Sequence, residues 1–217
     1  MPVTFDNVGG TSTTGPALNF TFTAAAGSTL LFAACAVGGA VSVSACAYNN
    51  VPLTRLGRTT TLELWALTAP AAGANDLSVT FATGASFWAV GALTYVNTRS
   101  AVPFGDAAVS ATAGAVTNFD LTASATSEQL VVGFMRAQTA TEITINNGTT
   151  RLDLLRSSGG VNVRLLAADI AGAGPSVVIS ASATGGTVAT WLGIAVPIYF
   201  SAGSAVRYMK ALTGVGY

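Results

Sequence analysis

The chain has 217 residues with nine Lys and Arg, nine Asp and Glu and no His, a formal net charge of zero. Charged residues make up 8% and apolar ones 51%, which excludes disorder, since disordered chains combine low hydrophobicity with high net charge. A nucleic-acid binder is disfavoured for lack of a basic field, because no Lys or Arg precedes Arg55.

Along the chain, Met1 to Asp6 has neither a cationic nor an apolar leader pattern and reads as lacking a secretory signal. Val8-Gly9-Gly10 reads as a turn, and Leu18-Asn19-Phe20-Thr21-Phe22-Thr23 alternates apolar and polar residues as a half-buried strand does. The uncharged stretch Leu30 to Tyr48 is long enough for a membrane helix. Gly38-Gly39 followed by the alternation Val41-Ser42-Val43-Ser44 argues for strands instead, and basic flanks are missing. Within it, Cys35 and Cys46 read as two small buried hydrophobes. The ten residues between them suit a hairpin in which the two could face each other. Asn49-Asn50 predicts a tight turn, because Asn tolerates positive φ.

Leu62 to Leu67 predicts a strand carrying Glu63 and Trp65, and Ala72 to Asp76 a turn before the alternation Leu77-Ser78-Val79-Thr80-Phe81. Residues 97–127 contain no charged or Pro/Gly-dense linker and include a strand-like piece from Val116 to Thr122. Thr141 to Ile145 and Val161 to Leu165 alternate again, separated by the turn formers Asn147-Gly148 and Ser158-Gly159-Gly160. Gly172 to Pro175 predicts a further turn, and Trp191 to Phe200 an apolar strand. The uncharged run Gly186 to Val206 lacks basic flanks as well, so no membrane insertion is expected. At the end, Ser204 is a candidate N-cap, Val206, Met209 and Leu212 share one helical face, and Gly214 is a stop. A two-turn helix needs something to dock on, either its own sandwich or a neighbouring subunit.

The pattern is doubled. Ser28 to Phe32 aligns with Glu128 to Val132, Asn49-Asn50 and Arg55-Leu56 with Asn146-Asn147 and Arg151-Leu152, and Leu62 to Leu67 with Val161 to Leu166. Ala72-Gly73-Ala74 before Leu77 aligns with Ala171-Gly172-Ala173 before Ser176, and Phe87-Trp88 with Thr190-Trp191, at offsets of 96 to 103. The fold class is therefore all-β, a two-sheet antiparallel, jelly-roll-like sandwich with pseudo-repeat halves of about 1–97 and 98–200 and a C-terminal docking segment over 201–217. Separate small sandwiches are the other arrangement, disfavoured because an alanine-rich half has a thin core on its own.

Catalytic chemistry is sparse. The acids form no D-x-D cluster and no Ca²⁺-loop spacing, and no cofactor is implied. Without His, two Cys cannot close a zinc site, and a Ser or Cys nucleophile lacks its usual imidazole. Glu63 and Glu142, both on strands, are the candidate carboxylate pair for a glycosidase, which holds such groups about 5–10 Å apart; their expected place is the exposed face. Trp88 and Trp191 read as paired core fillers at equivalent places. Trp65, beside Glu63, is expected half exposed and is the weak candidate for ligand contact.

The order Phe5-Asp6, Leu30-Leu31, Asn49-Asn50-Val51-Pro52-Leu53-Thr54-Arg55-Leu56 and Leu62-Glu63-Leu64-Trp65-Ala66-Leu67-Thr68-Ala69-Pro70-Ala71-Ala72-Gly73 resembles a β-sandwich of tailed-bacteriophage virion proteins and some bacterial surface proteins. Asn50-Val51 departs from that family's Asn/Gly-Gly pair. The similarity spans residues 3–200 and rests mainly on residues 49–81. It implies a structural or adhesive module without catalytic residues, assembled in a host cytoplasm into a virion. The expected partners are further copies of the chain and other virion proteins such as a major capsid protein, with no nucleic acid and no membrane. The expected assembly interface is Val206, Arg207, Tyr208, Met209, Lys210, Leu212 and Tyr217. A capsid-surface decoration or minor head protein is the preferred role; a tail or receptor-binding adhesin and a carbohydrate-binding surface module are the alternatives. Low net charge permits dense packing of copies, and Arg outnumbers Lys eight to one, as suits bidentate interface contacts.

Overall fold

A computed structural model describes residues 2–39, 42–82, 88–111, 115–158 and 160–201. The described residues form strands and no helix. In the first half these are β1 (Thr4–Thr13), β2 (Ala17–Ala24), β3 (Ser28–Val37), β4 (Val43–Tyr48), β5 (Val51–Pro52), β6 (Thr54–Arg58), β7 (Leu62–Thr68), β8 (Gly73–Phe81) and β9 (Trp88–Val96). The second half contributes β10 (Ala108–Ala111), β11 (Asn118–Ala123), β12 (Gln129–Ala137), β13 (Ile143–Ile145), β14 (Thr149–Ser158), β15 (Val161–Ala171), β16 (Val177–Ala183) and β17 (Trp191–Tyr199). All pairings between these strands are antiparallel.

The all-β, antiparallel, sandwich-type class is the expected one, but the described residues form four sheets, two facing each other in each half, rather than the two sheets of the single sandwich that the sequence pattern favours. In the first half, sheet β1-β9-β3-β7-β6 faces sheet β2-β8-β4-β5; in the second, β10-β17-β12-β15-β14 faces β11-β16-β13. Strands 1, 9, 3, 7 against 2, 8, 4, 5 are the interleaved double Greek key of a jelly roll. Replacing β1, β2, β3, β4, β6, β7, β8 and β9 by β10, β11, β12, β13, β14, β15, β16 and β17 reproduces the order in both sheets. The repeat matches of the sequence fall on these equivalent strands.

The two five-stranded sheets lie back to back. One buried cluster holds Leu30, Phe32, Leu64 and Leu93 of the first half together with Phe134, Leu165, Ile194 and Val196 of the second. Two further clusters fill the sandwiches, one around Leu31, Cys35, Val79 and Trp88, the other around Phe119, Val131, Ile179 and Trp191. The layering explains why β3 reads as an unbroken apolar run: Leu31, Ala33, Cys35 and Val37 face one core while Leu30, Phe32, Ala34 and Ala36 face the other. A thin alanine-rich half is stabilised by giving its inner sheet a second buried face.

β1 packs on β14, β9 on β15 and β3 on β15; their repeat equivalents are β10 on β6, β17 on β7 and β12 on β7, and these also pack. The halves are therefore related by an approximate two-fold axis running along the strands, as in an isologous dimer joined into one chain.

Glycine placement corrects one expectation. Val8-Gly9-Gly10 is no turn but the middle of β1, paired with β9. A Cβ on Gly9 would come 2.9 Å from Phe22 Cδ2, and one on Gly10 would come 3.0 Å from the Val90 carbonyl oxygen. These glycines admit close neighbours. The Asn49-Asn50 turn is as expected: both residues have positive φ, 49° and 62°, and join Tyr48 to Val51 as a two-residue hairpin.

Candidate functional site

The alternation Leu62-Glu63-Leu64-Trp65 sends Leu62 and Leu64 into the central cluster and Glu63 and Trp65 to the opposite face of β7. In a two-layer protein that face would be wet. Here β4 and its neighbours cover it, so Glu63 is 1% exposed and Trp65 9%, correcting the expectation of an exposed Glu63 and a half-exposed Trp65. The Val43 N–H donates to Glu63 Oε1 at 2.9 Å. Arg58 Nε stands 3.4 Å from Oε1 and Arg55 Nη1 3.6 Å from Oε2, both arginines reaching in from the edge strand β6. The Arg55 guanidinium also lies over the Trp65 ring, 5.7 Å from its centroid. Glu63 thus neutralises two half-exposed arginines and accepts the N–H that opens β4.

Glu142 is exposed just before β13. Glu63 and Glu142 belong to different sandwiches with both inner sheets between them. At about 10 Å per sheet-to-sheet spacing, they are too far apart for a glycosidase pair.

Trp88 and Trp191 are fully buried, each pairing with the end of its inner neighbour, Val37 and Ala137. Trp88 Nε1 donates to the Gly15 carbonyl at 2.9 Å and Trp191 Nε1 to that of Val116 at 3.4 Å, in equivalent loops. Phe81 tilts against Trp88 and Phe119 stacks on Trp191, as core fillers.

Cys35 and Cys46 are free and buried in the first sandwich core. They sit on facing sheets, β3 and β4, rather than on neighbouring strands of one hairpin, because the chain arches across the core between them. Burial, with smaller contributions from Cys46 and Glu63, pushes the Cys35 thiol well up, and burial pushes Cys46 up to about 12. Both are protonated at neutral pH and are poor nucleophiles.

Two aspartates organise polar contacts that sequence reading missed. Asp6 accepts from Ser28 Oγ at 2.5 Å and Thr94 Oγ1 at 2.9 Å, tying β1 to β3 and β9. Asp169, 3% exposed, accepts from Arg151 Nε at 2.7 Å and from the Tyr95 hydroxyl of the other half at 3.2 Å. The Arg151 guanidinium covers the Phe5 ring at 4.4 Å. Burial first, and then the Asp169 charge, hold the Tyr95 phenol well above its ordinary value. The signal for this lock was an acid inside an apolar strand, Ala167-Ala168-Asp169-Ile170, which nothing in the sequence ties to Tyr95.

A shallow cleft of about 460 Å³ opens between the 105–108 segment, the 124–126 loop and Pro175, with Gln129 and Tyr199 in its wall. Among the described residues no group of three or more His, Cys, Asp or Glu is placed to hold a metal ion, and no helix is long and apolar enough to cross a membrane. Val206, Arg207, Tyr208, Met209, Lys210, Leu212 and Tyr217, the expected assembly residues, lie outside the described residues. Comparison with protein-family models, curated proteins and solved structures finds no match.

Proposed function

We propose that this chain is a non-enzymatic virion structural protein, a capsid-surface decoration or minor head protein that associates with itself and docks on the particle. The observation that supports this reading is the chemistry of the two outer faces. On the first, Asn19, Thr21 and Thr23 of β2, Ser78 and Thr80 of β8 and Ser44 of β4 point outward, with Asp76 the one charge within the strands of this sheet among the described residues. On the second, Asn118 and Thr122 of β11, Ser180 and Ser182 of β16 and Thr144 of β13 do so, with Asp120 the one charge within these strands and exposed Glu142 just before β13.

Both carboxylates are engaged by neighbouring side chains, Asn19 Nδ2 donating to Asp76 at 3.3 Å and Ser180 Oγ to Asp120 at 2.6 Å. Such faces carry little charge to desolvate and short side chains with little entropy to lose, so they suit close packing of many copies. The bacteriophage resemblance in residues 49–81 supports the same reading.

Light scattering of the purified chain tests it. An oligomer is expected, one that dissociates when Thr21 and Thr80 are both replaced by Lys. A monomer at all concentrations that also fails to sediment with capsids would overturn the self-association and docking reading.

A further inference from the structure

The layer between the two inner sheets carries four charged side chains on its strands among the described residues: Asp169, Arg151, Arg136 and Arg156. At one end Asp169 and Arg151 compensate each other at 2.7 Å. At the other end, where β9 and β17 begin, the arginines stand without an acid. Val132 and Phe134 of β12 point into the central cluster, and the period of two sends Arg136 the same way, between its neighbours Leu165 and Leu192. Leu152 and Leu154 of β14 likewise put Arg156 on that face, beside Val163.

Arg136 is 3% exposed, and the Nε atoms of both arginines are buried without a hydrogen-bond partner among the described residues. Neither side chain makes an ion pair among them. Burial lowers the Arg136 pKa only to about 10, so the guanidinium stays charged at neutral pH.

A buried, uncompensated charge is among the most costly features a fold retains. Alanine stands at the repeat-equivalent position of the first half, Ala36, so the architecture does not itself require an arginine there. Arg136 and Arg156 flank β15 on its two sides, opposite Leu165 and Val163, two residues apart in register. Their strands are two spacings, about 10 Å, from each other, a span that two extended arginines bracket around one tetrahedral anion.

We propose that Arg136 and Arg156 form a binding site for a small oxyanion of the phosphate class at this end of the interface between the sandwiches. The guanidinium forks supply parallel N–H donors matched to such an anion. The bound anion would cancel the charge that the layer otherwise holds unpaired, and so couples the cohesion of the two halves to anion concentration.

The test uses the full chain and inorganic phosphate at fixed ionic strength, with acetate as a carboxylate comparison. Phosphate at ten times its Kd is expected to raise Tm by about 3–6 °C, with a smaller rise in acetate; an equal rise would replace the phosphate class by carboxylates and so overturn the assignment. Arg136→Met is expected to abolish the rise and, by removing an unpaired charge, to melt above the parent in phosphate-free buffer. Arg156→Met should weaken phosphate binding at least tenfold by calorimetry, and Arg136→Lys, which keeps the charge without the fork, should weaken it as well. No response in the parent, or the same response in Arg136→Met and Arg156→Met, would overturn the site. So would an Arg136→Met chain that melts lower without phosphate, since the arginine would then already be stabilised from within.

Discussion

Gly91 in β9 faces the second half with no room for a side chain. A Cβ there would lie 2.1 Å from Leu152 Cδ2 and 3.4 Å from both Leu152 Cγ and Leu165 Cδ2, all atoms of the second half. Overpacking a core costs about 1–3 kcal/mol. Because the offending atom is the tip of a leucine that can turn aside, Gly91→Ala belongs in the lower part of that range, at about 1–2 kcal/mol. Leu152 is 9% exposed, so Leu152→Ala alone should cost about 2–4 kcal/mol. In the double variant the new methyl meets no leucine and fills part of the space that Leu152 leaves. The pair should therefore cost about 1–2 kcal/mol less than the sum of the single changes. Urea unfolding of the three variants measures this coupling. Costs that add to within about 0.5 kcal/mol would mean that Leu152 does not sit on Gly91, and the back-to-back stacking of the inner sheets would fail with it.

Tyr95→Phe removes the hydroxyl that reaches Asp169 across the interface and should cost about 1–2 kcal/mol; combined with Asp169→Asn, the loss should be smaller than the sum, and a strictly additive pair in urea unfolding would contradict the contact. Trp65→Ala should lower stability by about 3–5 kcal/mol, as for a core aromatic; a change under about 0.5 kcal/mol, the range of surface positions, would show that the ring is not buried. The raised thiols set an alkaline limit. The unfolded thiols lose their protons near the ordinary value of 9 and the folded Cys46 only near 12, so stability is complete below pH 9 and falls as pH rises towards 12. Each such thiol adds about 1.4 kcal/mol per pH unit to the slope. Cys46→Ala should flatten the fall in stability measured by denaturant unfolding at stepped pH, and an unchanged slope would contradict the assignment.

Much of the fold was legible because strand periodicity and turn chemistry are local. Leu18 to Thr23 and Leu77 to Phe81 alternate in the sequence and lie in β2 and β8 with alternating burial. The repeat was visible because equivalent strands meet equivalent environments, as Trp88 and Trp191 do. What stayed hidden was the second packing of each inner sheet. Glu63 looked wet because alternation implies a solvent face, and a sheet covered on both sides has none. Gly9-Gly10 looked like a turn because the close approach of Phe22 and Val90, which calls for glycine, is a tertiary fact. The Asp169–Tyr95 contact joins residues 74 positions apart in different halves, and the Arg136–Arg156 pairing depends on register across β15. Neither leaves a local pattern.

The proposed role is tested most directly by the protein composition of virus particles purified from a culture that expresses this chain. The account predicts the chain in fixed proportion to the major shell protein, retained through washing and lost together with that protein when particles are disrupted. Particles that form normally and contain none of it would contradict the account.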